Sequence, residues 1–335
     1  MARQILVLDS SQIATWGECN QQWNLKYNEN LTSSNNIRED MAQGTYGHKL
    51  LELYYTNIAL GMKTADAWHD ANMFHATGDF PLSAPKREFV HKRCWEYVCV
   101  YAQNDIIPMM GQPERKIVFG PHTSSMDHEY CLNCGANREI VIAQGPNGTC
   151  PQNPQTKLVP KPLVEQGFSY PLLDTPEYLF VLEGRIDVMA TLNNGSAGVV
   201  DHKFQGRERA LYGKSIQFRN YAMVCDFNYV VVNYIRLHQA ISDKTFVRDT
   251  IYFSSLEKAL WRKRLIEKFK LIAHARELAA QRNGIDAFEK EESACSGKFG
   301  YPCEFTKICN DNHDLVSIQA VKEQFYQKRE VWKPW

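Results

Sequence analysis

The sequence predicts an α/β protein with a small mixed sheet at its centre, because helical and strand-like hydrophobic patterns alternate along the chain. The clearest strand signal is a pair of apolar runs joined by Asn-Asn-Gly at residues 193–195, which predicts a β-hairpin. The clearest helix signals are a segment from about residue 41 to 60 and a long segment opened by the capping box Ser254-x-x-Glu257.

The other elements follow from the same periodicities. Ser10 and Ser11 are expected to cap a first helix that carries Ile13, Trp16 and Trp23. The remaining predicted helices cover residues 65–76, 86–109, the segment around 217–221, and 254–282. The predicted strands cover residues 164–172, 178–192, 197–204, 229–237 and 247–253.

Composition restricts the classes of protein. Lys plus Arg and Asp plus Glu are 38 each in 335 residues, so a surface that binds nucleic acid must be local. The sequence contains no apolar run of about 18 residues, and its N-terminus lacks the features of a signal peptide. We therefore expect a cytoplasmic protein that does not enter a membrane. In that compartment ten cysteines favour metal sites over disulfides.

The hairpin carries charged residues in an informative arrangement. The first run ends near Asp187 and the second delivers Asp201 and Lys203. Because side chains alternate along a strand, Asp201 and Lys203 share a face and His202 points to the other. Two carboxylates can hold a hard divalent cation, and a lysine can orient or deprotonate a water, which is the chemistry of phosphodiester hydrolysis. The alternative is a surface hairpin with scattered charges.

A helical histidine adds to this pattern. Gly44, His48 and Glu52 follow one another at four-residue spacing and so share a helix face. The glycine would let another backbone approach, and the carboxylate could orient the imidazole. A histidine buried for purely structural reasons fits the same helix.

Four motifs occur in a characteristic order, and each is weak alone: Gly44-x-x-x-His48-x-x-x-Glu52, Gly184-x-x-Asp187, Asp201-x-Lys203 and Gln217-x-x-x-Tyr221. In this order they resemble the RecB-like exonuclease group of the PD-(D/E)xK nuclease superfamily, which includes the CRISPR-adaptation nucleases with an iron–sulfur cluster. The resemblance spans roughly residues 10 to 310. It implies a restriction-endonuclease-like core, in which helices flank a small mixed sheet.

The resemblance also implies roles for the site residues. His48, Asp187 and Asp201 would bind Mg²⁺ or Mn²⁺ with a backbone carbonyl next to Lys203, and Lys203 would orient the attacking water. Glu52 is included in the catalytic set, as a residue that supports the histidine.

Three further polar residues are open to two interpretations. Gln217 and Tyr221 share a helix face and, by the resemblance, position the DNA backbone near the lysine; a packed tyrosine with a capped amide is the alternative. Glu165 stands where this nuclease group often has an acidic residue. A salt-bridge partner accounts for Glu165 equally well.

The cysteines near the two ends of the chain match the same group. Cys19 stands alone near one end, and Cys295-x7-Cys303-x5-Cys309 lies near the other. One N-terminal and three C-terminal cysteines resemble the cluster pattern of the iron–sulfur members and imply a [4Fe–4S] cluster joining the N- and C-terminal helical segments. Cys19 is followed by Asn20 where that group often has proline. Zinc would use the same four ligands.

A third cysteine group lies in a segment rich in Gly, Pro and Asn. Cys131-x2-Cys134-x15-Cys150 resembles a zinc-ribbon knuckle that lacks one ligand, for which His128 is preferred over His122. An insert without an apolar core needs such a Zn²⁺ site, although accidental cysteines are the alternative. Three cysteines in apolar helical contexts are expected to be buried: Cys94, Cys99 and Cys225.

Together these patterns predict four segments: a helical part at 1–120, a Cys-rich zinc-binding insert at 121–162, the nuclease core sheet at 163–255, and a C-terminal helix with the cluster-binding segment at 256–335. The implied activity is a metal-dependent deoxyribonuclease, an exonuclease on single-stranded DNA ends in recombination, repair or phage DNA processing. A phage origin would place it in the host cytoplasm. The alternatives are a catalytically silent iron–sulfur DNA-binding partner of a helicase or recombinase, and a metal-stapled structural protein.

Overall fold

The computed structural model describes these parts of the chain: 3–33, 39–101, 106–110, 129–130, 149–150, 153–157, 159–160, 162–205, 215–237, 242, 244–281, 288–296, 302–310 and 315–329. The chain forms two compact units. The first comprises Met1–Arg38, Pro171–Glu183 and Ala259–Lys333. The second comprises Glu39–Tyr170, Gly184–Lys258 and Pro334–Trp335.

The strands are β1 (Gln4–Leu8), β2 (Leu31–Ser33), β3 (Ile106–Pro108), β4 (Glu129–Tyr130), β5 (Thr149–Cys150), β6 (Asn153–Lys157), β7 (Val159–Pro160), β8 (Val164–Asp174), β9 (Tyr178–Leu192), β10 (Ala197–Gln205), β11 (Tyr229–Arg236), β12 (Phe246–Tyr252) and β13 (Tyr326–Lys328). The helices are α1 (Ser10–Glu18), α2 (Asn20–Trp23), α3 (Glu39–Ala59), α4 (Thr64–Ala67), α5 (His69–Thr77), α6 (Ala84–Tyr101), α7 (Ile216–Cys225), α8 (Ser255–Gln281), α9 (Glu292–Cys295), α10 (Thr306–Asn310) and α11 (Leu315–Phe325), with a π-helical turn at Asn24–Asn28.

A mixed sheet forms the centre of the second unit. β10 runs antiparallel to β9, with Val200 opposite Val188, and parallel to β11, with Val200 opposite Val231. β12 continues the sheet antiparallel to β11, while β3 and β8 pair with β9. The β9–β10 turn contains Gly195 at φ 77°, a backbone conformation that glycine adopts without strain. The predicted hairpin, the mixed sheet and the α/β class are therefore confirmed.

Helices α3 and α6 pack against this sheet. Their buried side chains form one cluster with the sheet residues Val188, Val200 and Val231. Such buried aliphatic and aromatic surface provides most of the free energy that holds a helix to a sheet. The packing fixes α3, and therefore its histidine, above the β9–β10 hairpin.

Several element boundaries differ from the prediction. The helix predicted to reach residue 109 ends at Tyr101, and Ile106–Pro108 pairs with β9 instead. The cap of α1 is Asp9, whose side chain accepts a hydrogen bond from Gln12 N at 2.8 Å, rather than Ser10 or Ser11. The predicted capping box is confirmed, since Glu257 N donates to Ser254 Oγ and Ser254 N donates to the Glu257 carboxylate.

The first unit holds residues from both ends of the chain together. β1, which the sequence did not predict, pairs in parallel with Tyr178–Leu182 of β9. In α8, Phe269 lies 5.4 Å from Phe180 between ring centroids. A second cluster unites the π-helical turn with the C-terminal helices, and its buried members are Leu25, Leu31, Phe305, Ile308 and Tyr326.

The insert is described only in part. Glu129–Tyr130 pairs with Val159–Pro160, and Thr149–Cys150 pairs with Asn153–Lys157. Cys131, Cys134 and His128 lie outside the described residues, so the zinc site remains a prediction. Within the described part of the chain, no helix has the length and apolarity that crossing a membrane requires.

Candidate metal centre

Three side chains from three elements meet in the second unit. His48 lies on α3, Glu165 on β8 and Asp187 on β9. His48 Nδ1 is 3.5 Å from Glu165 Oε1 and 3.3 Å from Asp187 Oδ2. Their potential ligand atoms all lie within 4.8 Å of one another. Among the described residues, no other group of three or more His, Cys, Asp or Glu side chains comes this close together. One imidazole and two carboxylates form a donor set that can hold a divalent metal ion.

The charges of this group favour a cation. Burial by itself lowers the pKa of His48, but the negative charges of Asp187 and Glu165 outweigh burial and raise that pKa to about 9. Burial raises the pKa of Asp187, while the charge of His48 lowers it. Two ionised carboxylates at such short range are stabilised by positive charge nearby, which the imidazolium or a metal ion could supply.

Glu165 reaches the group through an unusual backbone conformation. Its φ is 47°, in the left-handed region that residues other than glycine, asparagine and aspartate rarely adopt. Such a residue costs roughly 1–3 kcal/mol and persists where the surroundings require it, often at a functional site. From this backbone position the Glu165 carboxylate lies 3.5 Å from His48 Nδ1.

Lys203 is fixed by a polar network built from β10 and α7. Its Nζ lies 2.8 Å from Asp201 Oδ2 and donates to Gln217 Oε1 at 3.0 Å. Gln217 Nε2 donates to Asp201 Oδ1 at 3.2 Å and to the Tyr221 hydroxyl oxygen at 2.7 Å. Tyr221 in turn donates to the carbonyl of Arg185. The motif Gln217-x-x-x-Tyr221 therefore places the lysine and ties its helix to β9.

Asp201 lies outside the candidate metal-ligand group formed by His48, Glu165 and Asp187. It is fully buried, and burial raises its pKa to about 6 against the opposing effect of the Lys203 ammonium. The sequence predicts His48, Asp187 and Asp201 as ligands, whereas the structure groups His48, Asp187 and Glu165 and pairs Asp201 with Lys203.

The residue between Asp201 and Lys203 links the strand to the candidate metal centre. The backbone N–H of His202 donates to Asp187 Oδ2 at 2.7 Å. The His202 ring points to the opposite face, as the alternation predicts, and stacks on Tyr55 at 5.3 Å between ring centroids. Burial lowers the pKa of His202 well below its usual value, so this ring is neutral.

Glycines in two motifs make room for aromatic rings. A Cβ on Gly184 would lie 2.5 Å from the fully buried ring of Phe168, and a Cβ on Gly47 would lie 2.4 Å from the ring of Phe204. At Gly44, the motif glycine, a Cβ would meet Phe204 only at 3.9 Å, which is an ordinary contact. The close approach expected at Gly44 therefore occurs three residues later, and a side chain rather than a backbone makes it.

Glu52 has a different partner from the one expected. Its carboxylate accepts a hydrogen bond from Lys49 Nζ at 2.9 Å. Glu52 is not a member of the group around His48 among the described residues, so the expected support of the imidazole by this carboxylate is not seen there. Its predicted part in catalysis stays a prediction.

In the first unit, the four cysteines near the chain ends influence one another. Cys303 N donates to the carbonyl of Cys295 at 3.0 Å, and Cys19, which ends α1, is buried. Burial raises the pKa of the Cys303 thiol, and negative charge on Cys295 and Cys19 raises it further. For Cys309, burial and negative charge on Cys303, Cys19 and Cys295 raise the thiol pKa to about 11, against the opposing charge of Lys290.

The sulfur atoms of Cys19, Cys295, Cys303 and Cys309 do not form a compact metal-binding group in the described structure. Among the described residues, no three of these sulfur atoms fall within 4.8 Å of one another. Of the other cysteines, Cys94 and Cys225 are buried as expected, whereas Cys99 is exposed and its predicted burial was wrong.

Comparison with known proteins adds little to this geometry. No protein-family model matches the chain, and no curated protein matches it. SSO0001, a protein of known structure, is similar over 32% of this chain and 48% of its own, so the match spans just under half of SSO0001. The two are 14% identical, with a TM-score of 0.24, and a likeness at this level establishes no shared fold.

Proposed function

We propose that this protein is a metal-dependent deoxyribonuclease of the PD-(D/E)xK type, with a restriction-endonuclease-like core related to the RecB-like exonucleases. The observation that carries the proposal is the arrangement of His48, Glu165 and Asp187 within 4.8 Å, next to a lysine held by Asp201 and Gln217. A group of potential hard-metal ligands beside a fixed ammonium is suited to hydrolysis of a phosphodiester.

Each side chain has a role in this reaction. His48, Glu165 and Asp187 would hold Mg²⁺ or Mn²⁺, and a bound ion of this kind neutralises phosphate charge and lowers the pKa of a water. Lys203 presents its ammonium to the attacking water and to the charge that develops on the phosphate oxygens. Asp201 and Gln217 hold this ammonium in place, so less ordering is needed when the substrate arrives.

Single-stranded DNA ends are the proposed substrate, and a catalytically silent DNA-binding partner of a helicase or recombinase is the alternative. The test uses end-labelled single- and double-stranded DNA with Mn²⁺, with the ends free or blocked. Shortening of free single strands supports the exonuclease. Cleavage of blocked or circular DNA indicates an endonuclease, while binding without cleavage supports the silent partner.

We further propose a [4Fe–4S] cluster at Cys19, Cys295, Cys303 and Cys309. Mutual effects on their pKa values support their proximity, since charge on one thiol reaches the next. In a tetrahedral zinc site, a Zn–S bond of about 2.3 Å gives sulfur separations of about 3.8 Å. Among the described residues no three of these sulfurs lie within 4.8 Å of one another, so that compact arrangement is not present, and four thiolates also suit a [4Fe–4S] cluster. We propose that Zn²⁺ instead binds the separate site at Cys131, Cys134, Cys150 and His128.

A further inference from the structure

A second cation, in addition to Lys203, stands at the candidate metal centre. Arg185 lies two residues before Asp187 on β9, so strand alternation places the two side chains on the same face. Ile186, between them, is fully buried. Arg185 Nη1 lies 4.0 Å from Glu165 Oε2. The guanidinium therefore belongs to the surroundings of the metal ligands, and the roles proposed above do not use it.

This arginine lies at the edge of the ligand group rather than inside it. His48 approaches Glu165 at Oε1, whereas Arg185 approaches it at Oε2. At 4.0 Å the second contact is an ion pair and is too long for a hydrogen bond. A guanidinium has more N–H donors than one carboxylate can accept. Pairing with Glu165 is therefore compatible with binding of a further acceptor.

Arg185 is also the most accessible of the charged side chains named for this site. Its side chain is 38% exposed, compared with 25% for Lys203 and 10% for Asp187. Its backbone is nevertheless fixed, because the Tyr221 hydroxyl donates to the Arg185 carbonyl. A substrate that approaches the metal ligands would therefore meet a guanidinium that is open to solvent on a strand that is held in place.

The charges of the site favour an anion once a divalent ion is bound. The carboxylates are Glu165, Asp187 and Asp201, and the cations are Lys203 and Arg185. Three negative and two positive charges, together with a doubly charged ion, leave these groups with a net charge of +1. Without Arg185 the net charge would be zero. The attraction of the metal-loaded site for a phosphate therefore depends on this guanidinium.

We propose that Arg185 binds a phosphate of the DNA strand next to the phosphate that is cleaved. The metal ligands and Lys203 serve the cleaved phosphate, and Arg185 lies beside the Glu165 oxygen that His48 does not approach. A planar guanidinium can pair with two oxygens of one phosphate. Such a contact carries no sequence information, so Arg185 should hold any strand. This inference rests on the proposed nuclease function and adds a substrate-binding residue to it.

The test compares DNA binding with metal binding in the full chain. Fluorescence anisotropy measures the affinity for a labelled oligothymidylate with Ca²⁺ in place of Mn²⁺, over a range of salt concentrations. Arg185→Gln should weaken strand binding at least fivefold. It should also lower the slope of log affinity against log salt by about 0.7, the contribution of one phosphate contact with a single strand.

Metal binding should respond in a different way. In calorimetric titration without DNA, Arg185→Gln should bind Mn²⁺ as tightly as the wild type or more tightly, because it removes a cation beside a ligand carboxylate. A merely structural role for Arg185 predicts the opposite, since a disturbed Glu165 would weaken metal binding together with DNA binding. Melting temperature is measured for each variant, and Arg185→Met replaces Arg185→Gln if that variant fails to fold.

Two further variants serve as controls. Arg185→Lys keeps the positive charge and should keep the salt slope, with part of the affinity lost because the planar fork is gone. Lys49→Gln removes a cation of similar exposure, 40%, that pairs with Glu52 instead, and it should change the slope less than half as much as Arg185→Gln.

The outcomes separate this inference from the nuclease proposal. Equal losses of strand binding in Arg185→Gln and Lys49→Gln, or Mn²⁺ binding weakened together with strand binding, overturn the role of Arg185. Wild-type strand affinity in Arg185→Gln refutes the phosphate contact and leaves a chain that cleaves DNA a nuclease. Absence of strand binding by the wild type refutes the contact as well. Loss of strand binding in Arg185→Gln, with no cleavage by the wild type, refutes the nuclease alone.

Discussion

Lys203 Nζ donates a hydrogen bond to Gln217 Oε1 at 3.0 Å, which connects strand β10 to helix α7 at the point where the proposed chemistry takes place. The other end of the same amide donates to Asp201 at 3.2 Å. One glutamine thus fixes both members of the Asp201–Lys203 pair. The conformation of the ammonium therefore depends on a helix as well as on its own strand.

The first prediction follows from this contact. Lys203→Ala should abolish DNA cleavage, because it removes the group that orients the water. Gln217→Leu should lower the turnover rate by about 10–100-fold, as loss of a supporting hydrogen bond commonly does. Initial rates with saturating Mn²⁺ measure both, and DNA binding by both variants serves as the control. Cleavage by Lys203→Ala at the wild-type rate would exclude the assignment.

A second prediction separates two glutamates. Glu165→Gln should weaken the apparent affinity for Mn²⁺ at least tenfold, because it removes one of two carboxylate charges from the group around His48. Glu52→Gln is the matched variant, with a carboxylate that pairs with Lys49 instead, and should change that affinity less than threefold. Cleavage rate against Mn²⁺ concentration gives both values. Equal losses of Mn²⁺ affinity in the two variants would indicate that Glu52 also contributes to the metal site.

The hairpin and its charges could be predicted from the sequence because their signals are local. Asn-Gly sets the turn, and strand alternation puts Asp201 and Lys203 on one face. Gln217 and Tyr221 likewise lie one helical turn apart. Each relationship is set by neighbouring residues, so pattern alone identifies it.

Other features depend on contacts between distant segments. Glu165 meets His48 from a left-handed backbone position, and its acidity at the start of an apolar strand was the sole signal in the sequence. Tyr101 ends its helix because the following segment pairs with β9, which overrides helical periodicity. The close approach at Gly47 is set by Phe204, which no local pattern reveals.

His48 is the subject of the third prediction. His48→Ala should lose activity at low Mn²⁺ and recover part of it at high Mn²⁺, since mass action refills a weakened site. A histidine with a purely structural role would instead lower the melting temperature, with activity independent of metal concentration. Activity at several Mn²⁺ concentrations, measured beside a melting curve, distinguishes the two results.

Two glycines of one helix provide the fourth prediction. Gly44→Ala should leave stability unchanged or raise it by up to about 1 kcal/mol, because alanine favours helix and the added Cβ meets no closer atom than 3.9 Å. Gly47→Ala should lower stability by about 1–2 kcal/mol, because the Phe204 ring must move and overpacking costs more than the gain in helix propensity.

Urea unfolding of both glycine variants measures the difference. The displaced ring also lies 5.4 Å from His48 between centroids, so Gly47→Ala should reduce cleavage as well. Equal stability of the two variants would mean that the Phe204 ring moves aside freely.

The last prediction concerns the cysteines that lie near opposite ends of the chain. Protein purified without oxygen should be brown and contain iron and sulfide, and Cys303→Ser should lose the colour and the iron. Its melting temperature should fall, because thiolate ligation contributes folding free energy to the first unit. Nuclease activity should fall only as far as folding does, since the cysteines lie in the first unit and the metal centre in the second.

Cys99→Ser is the matched control, because this exposed cysteine lies in the second unit, and it should keep both colour and melting temperature. Elemental analysis that finds zinc and no iron would refute the cluster and leave the nuclease proposal standing. Iron retained by Cys303→Ser would refute this cysteine as a ligand. Loss of iron in Cys303→Ser, with iron retained in Cys99→Ser, would instead support Cys303 as a ligand, and the same measurement on Cys19→Ser would test whether the other end of the chain also holds the metal.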